Sequence, residues 1–225
     1  MHYFTKSEII LWSGSVLLIL TAFFLFDRTS WMTLIASLLG VTSLIFAAKG
    51  NPVAQILMII FSLLYGMISR GFAYYGEMIT YLGMTMPMAV ITLISWLKHP
   101  YDGSQSEVKV HHIKKSEIML ILILTIIITI LFYFILKYFH TANLIPSTVS
   151  VTTSFSAVCL TFFRSPYFAV AYALNDFILI ILWTLASLEN SSYISVLVCF
   201  IVFLVNDIYG FVSWKRMEKR QSNSA

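Results

Sequence analysis

Long apolar runs separated by short polar breaks dominate the chain. Most runs are long enough to cross a hydrocarbon core of about 30 Å at a helical rise of about 1.5 Å per residue. The shortest run, at 148–163, is rich in Ser and Thr. The pattern predicts an all-α integral membrane protein with eight transmembrane helices, at about 9–26, 31–48, 52–69, 77–97, 117–139, 148–163, 166–188 and 192–214.

Composition and charge support a membrane protein and give its orientation. The 225 residues are 59% hydrophobic and 11% charged, which excludes a soluble globular domain of this size. Of the 14 Lys and Arg residues, eight spans place 11 on the side of both termini and three on the other, namely Arg28, Arg70 and Lys137. The positive-inside rule therefore predicts a multi-pass protein of the cell membrane with both termini in the cytoplasm. The basic residues are scattered between spans, so we expect no nucleic-acid partner.

The connection from Lys98 to Ser116 is the one long break between predicted spans. Its histidines, His99, His111 and His112, share no fixed helical spacing, so we expect solvated side chains and not a metal site.

Two parts of the chain carry matching landmarks. Ser-Trp followed by a cation closes both the fourth and the eighth helix, and a turn ending in Pro opens both the third and the seventh. The landmarks predict SWEET-like 3+1+3 parallel repeats, a plan used by transporters that bind substrate between their halves. We expect an extra N-terminal helix at 9–26, a first three-helix repeat at 31–97, a linker helix at 117–139 and a second repeat at 148–214.

Polar residues recur on single faces of the predicted spans at positions that are costly in a bilayer. Asn-Asp occurs twice at mid-depth, at 175–176 and 206–207. These groups either join helices to each other by hydrogen bonds or line a ligand cavity, and their convergence with aromatic residues favours the cavity. The predicted substrate-binding residues from these faces are Gln55, Tyr81, Thr85, Met88, Asn175, Asp176, Trp183, Asn206 and Asp207.

The predicted lining restricts the chemistry of the ligand. Lys and Arg lie only at the ends of the spans, so a phosphate would lack a cation at the depth of the site. Aromatic faces and a carboxylate at Asp176 or Asp207 suit a flat ring that is weakly polar or cationic. Amides suit hydroxyl or carboxamide groups. A nucleoside-like vitamin satisfies all of these conditions.

The closing motif of the chain resembles that of a known family. Asn206-Asp207-Ile208-Tyr209-Gly210-Phe211-Val212-Ser213-Trp214-Lys215-Arg216 is similar to the PnuC vitamin-transporter family, in its Gram-positive bacterial branch. Ala48-Lys49-Gly50-Asn51, Tyr75-Gly76-Glu77, Trp96 and Asn175-Asp176 add to the likeness, which covers about 31–218. The motif adds Tyr209 to the predicted substrate-binding residues. It departs from the family pattern by carrying Asp207 where an Asn is usual.

The resemblance implies uptake of nicotinamide riboside by facilitated diffusion through alternating access. It also implies a homotrimer and a functional link to a separate cytoplasmic nicotinamide riboside kinase, with no cofactor and no enzymatic activity. Relatives carry thiamine, riboflavin or deoxynucleosides, so another vitamin or nucleoside, or nicotinamide mononucleotide, is an alternative cargo. An intramembrane enzyme using Asp176 and Asp207 as a dyad, or an accessory subunit without transport of its own, are alternatives of a different class.

Overall fold

A computed structural model of the chain describes residues 3–71, 75–141 and 143–223. Eight helical spans within these residues are long and apolar enough to cross a membrane. This confirms the predicted all-α architecture with eight transmembrane helices. The helices are α1 (Lys6–Phe26), α2 (Trp31–Ala48), α3 (Val53–Gly71), α4 (Tyr75–Thr80), α5 (Met86–Lys98), α6 (Lys115–Tyr138), α7 (Leu144–Phe162), α8 (Phe168–Glu189) and α9 (Ile194–Asn223).

The fourth span is a composite of α4, a π-helical turn at Tyr81–Thr85, and α5. Pro87, at the start of α5, has no N–H group and so cannot continue a regular ladder of hydrogen bonds. Met86 N–H instead bonds the carbonyl of Tyr81, five residues earlier, as a π-helix requires. A β-carbon on Gly66 of α3 would lie 2.5 Å from Leu82 Cγ, so the π turn packs tightly against α3.

The spans pack in two crossed groups. Helices α2 and α3 pack together and α3 contacts the fourth span, while α7 packs on α8 and α8 on α9. Between the groups, α2 contacts α9, and the fourth span contacts α7. The first helix of each group thus touches the last helix of the other. Helix α1 packs against α2 and α9, and the mainly exposed α6 packs against α7.

Helices α2 and α7 end in the same turn. Gly50 and Arg164 each adopt a left-handed conformation, with φ of 64° and 54°. In each turn the next residue donates a backbone hydrogen bond five residues back, Asn51 to Phe46 and Ser165 to Leu160, both at 3.0 Å. This is the Schellman arrangement, which satisfies carbonyl groups at the end of a helix.

The two Ser-Trp pairs cross between the groups at these helix ends. Trp214 Nε1 donates to the carbonyl of Ala47 at 2.7 Å, and Trp96 Nε1 donates to that of Thr161 at 2.9 Å. Ser213 and Ser95 donate to the next carbonyl of the same two helices, Ala48 at 2.7 Å and Phe162 at 3.2 Å. The two indole rings are fully buried and 5.7 Å apart.

The polar connection on the side of the termini is ordered and packed, which the sequence did not predict. Strands β1 (Pro100–Tyr101) and β2 (Ser104–Val108) form a hairpin, and Val108 is fully buried. Helix α9 continues to Asn223, beyond the predicted end at 214, and Gln221 reaches the hairpin. Gln221 Oε1 accepts from Val110 N–H at 2.8 Å and Gln221 Nε2 donates to the Val108 carbonyl at 3.0 Å. The extra turns of α9 are therefore stabilised by this contact.

Candidate transport site

The two buried carboxyl groups of the predicted site lie together in the interior. Asp176 of α8 and Asp207 of α9 are 4% and 5% exposed, and their side chains are within hydrogen-bonding reach of each other. No salt bridge joins either group to a cation in the described part of the chain. Two carboxylates this close repel each other in a medium of low dielectric unless a proton or a cation compensates. The pair is therefore chemically suited to a positive ligand.

Asn175 adjoins the carboxyl pair and is held by α7. Its Oδ1 accepts hydrogen bonds from Ser150 Oγ and Thr153 Oγ1, both at 3.0 Å. The richness of α7 in Ser and Thr, which makes it the least apolar of the predicted spans, thus has a structural role.

Aromatic side chains from three elements cluster beside the site. Tyr65 of α3 lies 4.5 Å from Tyr81 of the π turn and 6.1 Å from Phe200 of α9, measured between ring centroids. Phe61 contacts both tyrosine rings, at 5.5 and 5.8 Å, and Phe203 at 5.9 Å. Such a cluster can stack against the flat ring of a ligand.

Several buried polar atoms on α3, the π turn and α8 have no hydrogen-bond partner among the described residues. They are Ser62 Oγ on α3, Thr85 Oγ1 at the end of the π turn, and Asp176 Oδ2 on α8. Ser62 is fully buried and Thr85 is 4% exposed. Buried polar groups are nearly always paired, because leaving one unpaired costs about 1–3 kcal/mol. Three such atoms on α3, the π turn and α8 are consistent with an interior where a ligand supplies the missing partners.

Two small cavities lead towards this region from the face opposite the termini. One of about 60 Å³ is lined by Glu77, Trp183 and Glu189 among others. A second of about 20 Å³ is lined by Tyr81 and Ser150 and shares Glu77 with the first. Neither holds a nucleoside-sized ligand, for which pockets of about 300 Å³ or more are usual. Entry of such a ligand through these two cavities therefore requires the surrounding helices to separate.

The structure brings together only part of the predicted residue set. Asp176 and Asp207 form the carboxyl pair, Asn175 adjoins it, and Tyr81 belongs to both the aromatic cluster and the lining of the inner cavity. Thr85 is buried at the end of the π turn. Trp183 lies further out, in the first cavity, where it contacts Tyr193. Met88 packs against the core between α6 and α7, and Gln55 is buried near the start of α3, on the side of the termini.

Asn206 and Tyr209 face the additional helix α1 instead. Asn206 Nδ2 donates to Ser15 Oγ at 2.9 Å and to the Val202 carbonyl at 2.8 Å. Tyr209 donates to Glu8 Oε1 at 3.2 Å, and Glu8 also forms a salt bridge with Lys49 at 3.4 Å. Adjacent residues point about 100° apart on a helix, so Asn206 contacts α1 while Asp207 contacts Asp176 of α8.

Sequence reasoning missed Phe61, Phe200 and Phe203 as part of the aromatic cluster, and Ser150 and Thr153 as partners of Asn175. The phenylalanines give no signal in an apolar run, because any face of a spanning helix carries such residues. The hydroxyl residues gave a usable signal, since their density in one span is unusual.

Comparisons with known proteins agree with this architecture. The family model described as nicotinamide mononucleotide transporter matches residues 30–216. The nicotinamide riboside transporter PnuC of Neisseria mucosa is 25% identical over 203 residues, covering 88% of this chain and 77% of the relative. A crystal structure of the vitamin B3 transporter PnuC superposes with a TM-score of 0.83 at 23% identity, over 97% of this chain and 94% of the other. The chain therefore belongs to the nicotinamide mononucleotide transporter family of multi-pass membrane proteins.

Proposed function

We propose that the protein takes nicotinamide riboside across the cell membrane by facilitated diffusion. The observation that carries this proposal is the buried Asp176–Asp207 pair, which no cation among the described residues compensates, together with the buried polar atoms Ser62 Oγ, Thr85 Oγ1 and Asp176 Oδ2, which have no partner among those residues. The pyridinium ring of the riboside is flat and positively charged, so it suits the aromatic cluster and a carboxylate. Its ribose and carboxamide supply donors and acceptors for the hydroxyl groups and for Asn175.

Nicotinamide mononucleotide is the second candidate, because the description of the matching family names it. It adds a phosphate to the riboside. No Lys or Arg in the described part of the chain pairs with Asp176 or Asp207 or lines either cavity. A phosphate in this interior would stay uncompensated, which costs several kcal/mol. The lining therefore favours the riboside over its phosphate.

Alternating access is proposed from the crossed packing of the two three-helix groups, taken as 31–97 and 148–214 with 117–139 as the linker. On the side of the termini, the Ser-Trp pairs close the groups against each other by four hydrogen bonds. On the opposite side, the two small cavities lie between the fourth span and helices α7 and α8. We propose that these two ends open in turn. The homotrimer and the link to a riboside kinase stay predictions from the family resemblance.

Uptake by the purified protein in liposomes tests the proposed function. We expect labelled nicotinamide riboside to equilibrate across the membrane without an ion gradient. Nicotinamide mononucleotide should compete at least about 10-fold less well, because its phosphate finds no cation.

Thiamine and riboflavin serve as competitors that report on alternative cargoes. Protein-free liposomes give the background rate. Equal competition by the riboside and its phosphate would contradict the proposed site, and riboside accumulation only with an imposed ion gradient would contradict facilitated diffusion.

The proposed orientation, with both termini cytoplasmic, has a direct test in a matched pair of variants. His112→Cys lies on the side of the termini, and His140→Cys lies in the connection on the opposite side; both positions are exposed. The native Cys159 and Cys199 are buried, so background labelling is low. In intact cells, an impermeant thiol reagent should label His140→Cys and spare His112→Cys. The reverse pattern would contradict the orientation.

A further inference from the structure

The cavity opposite the termini combines two carboxyl groups with polar atoms that have no partner among the described residues. Glu77 and Glu189 contribute carboxylates to it, and no Lys or Arg is among its described lining residues. The Tyr65 and Ser69 hydroxyls lie beside the Glu77 carboxylate, yet Glu77 Oε2 accepts no hydrogen bond from the described residues. Thr141 Oγ1, in the same lining, has no hydrogen-bond partner within the described part of the chain either. A cavity of this kind attracts cations and supplies acceptors for them.

The cavity is also placed on a path to the interior. Glu77, Ser147 and Leu182 line both the outer cavity and the smaller inner one. Ser150, in the lining of the inner cavity, donates to Asn175, the neighbour of Asp176. Carboxyl groups therefore follow one another from Glu189 at the exposed rim, through Glu77, to the Asp176–Asp207 pair.

The aromatic content of the outer cavity fits the same kind of ligand. The buried Trp183 forms part of its wall, and the inner cavity has Tyr81 in its wall. Aromatic faces attract organic cations through the negative potential of the ring face. At about 60 Å³ the outer cavity has room for a few water molecules, or for part of a flat ring that displaces them.

We propose that this cavity is an outer entry site for flat organic cations, in which Glu77 is the residue that recruits positive charge. The proposal rests on the proposed function for the identity of the cation, and it assigns Glu77 and Glu189 a role separate from binding at the Asp176–Asp207 pair. The entry site raises the local concentration of the cationic substrate at the outer end of the path that leads to the Asp176–Asp207 pair.

Charge-selective labelling of purified protein tests the proposal without depending on transport. Ala186→Cys places a thiol in the cavity wall at a small, partly buried position. The exposed Thr29, on the same face outside the cavity, provides the control variant Thr29→Cys. Each variant is reacted with two methanethiosulfonate reagents, one that carries a cationic trimethylammonium group and one that carries an anionic sulfonate group. For each variant, the rate of modification by the cationic reagent is divided by the rate of modification by the anionic one. We expect this ratio to be about 10-fold higher at position 186 than at position 29.

Adding Glu77→Gln to Ala186→Cys should bring that ratio close to the control, and adding Glu189→Gln should lower it about 2-fold; both effects should shrink as salt rises. The exposed Glu189 variant keeps the test valid if the Glu77 variant does not fold. Excess nicotinamide riboside should slow modification at position 186 and not at position 29. The proposal would be overturned by equal ratios at the two positions, by ratios that neither substitution changes, or by a lack of protection in protein that transports the riboside. A charge preference in protein that transports no riboside would instead overturn the proposed function.

Discussion

Asp207→Asn is expected to weaken binding of nicotinamide riboside about 10- to 100-fold. The carboxylate loses its charge while its shape and volume hardly change, and a hydrogen bond to a charged group is worth about 1.5–3 kcal/mol. Asp207 is 5% exposed and lies beside Asp176, so solvent and salt screen the interaction little. If the residue only joins helices, the change should be nearly silent, because such contacts average about 0.6 kcal/mol in membrane proteins.

The matched variant Asp176→Asn separates the contributions of the two carboxyl groups. We expect a loss of similar direction, because Asp176 is as deeply buried as Asp207 and lies within hydrogen-bonding reach of it. Asp102→Asn at the tip of the hairpin is the control for the same chemical change, since Asp102 has φ of 47° and Asn tolerates that conformation. Isothermal titration of the riboside into purified protein measures all three. Wild-type affinity in both interior variants would mean that neither carboxylate contacts the ligand.

Trp214→Ala is expected to lower the free energy of unfolding by about 3–5 kcal/mol, the usual range for removing a fully buried Trp. The side chain is 0% exposed, packs against Trp96, and donates to the last turn of α2. Trp96→Ala should cost a similar amount, because its bond to Thr161 is the counterpart in the other group. Trp214→Phe keeps most of the ring and loses only the donor, so a loss of about 1 kcal/mol is expected.

Thermal or denaturant unfolding in detergent measures these differences. Trp31→Ala provides the control, because Trp31 is 56% exposed and its removal leaves no large cavity. Equal losses for Trp31→Ala and Trp214→Ala would contradict the role of the crossed Ser-Trp pairs in holding the two groups together.

The lengths of the apolar runs predicted the spans well, because a helix that crosses a bilayer must be both long and hydrophobic. Directions of single side chains were harder to predict. Asn206 and Asp207 looked equivalent in the sequence, but a hydroxyl on Ser15, 191 residues away, turned the first towards α1. The Ser-Trp pairs were visible as repeat landmarks, yet their acceptors are backbone carbonyls, which exist at every residue and so give no sequence signal. The hairpin was missed because its burial depends on Gln221 in a distant helix.

The π-helical turn makes the fourth span one residue longer than a regular helix of the same course. Glu77, Tyr81 and Thr85 are spaced by four residues, a spacing that drifts by about 40° per step around an α-helix with 3.6 residues per turn. The wider π turn offsets that drift, so Glu77 and Tyr81 of the inner cavity and the buried Thr85 stay close to one face of the span. Deleting Gly83 would remove the surplus residue and let the ladder return to α-helical spacing, while the helices on either side of the turn keep their course. A single surplus residue thus adjusts where a few side chains point within the span without changing the alignment of its two ends.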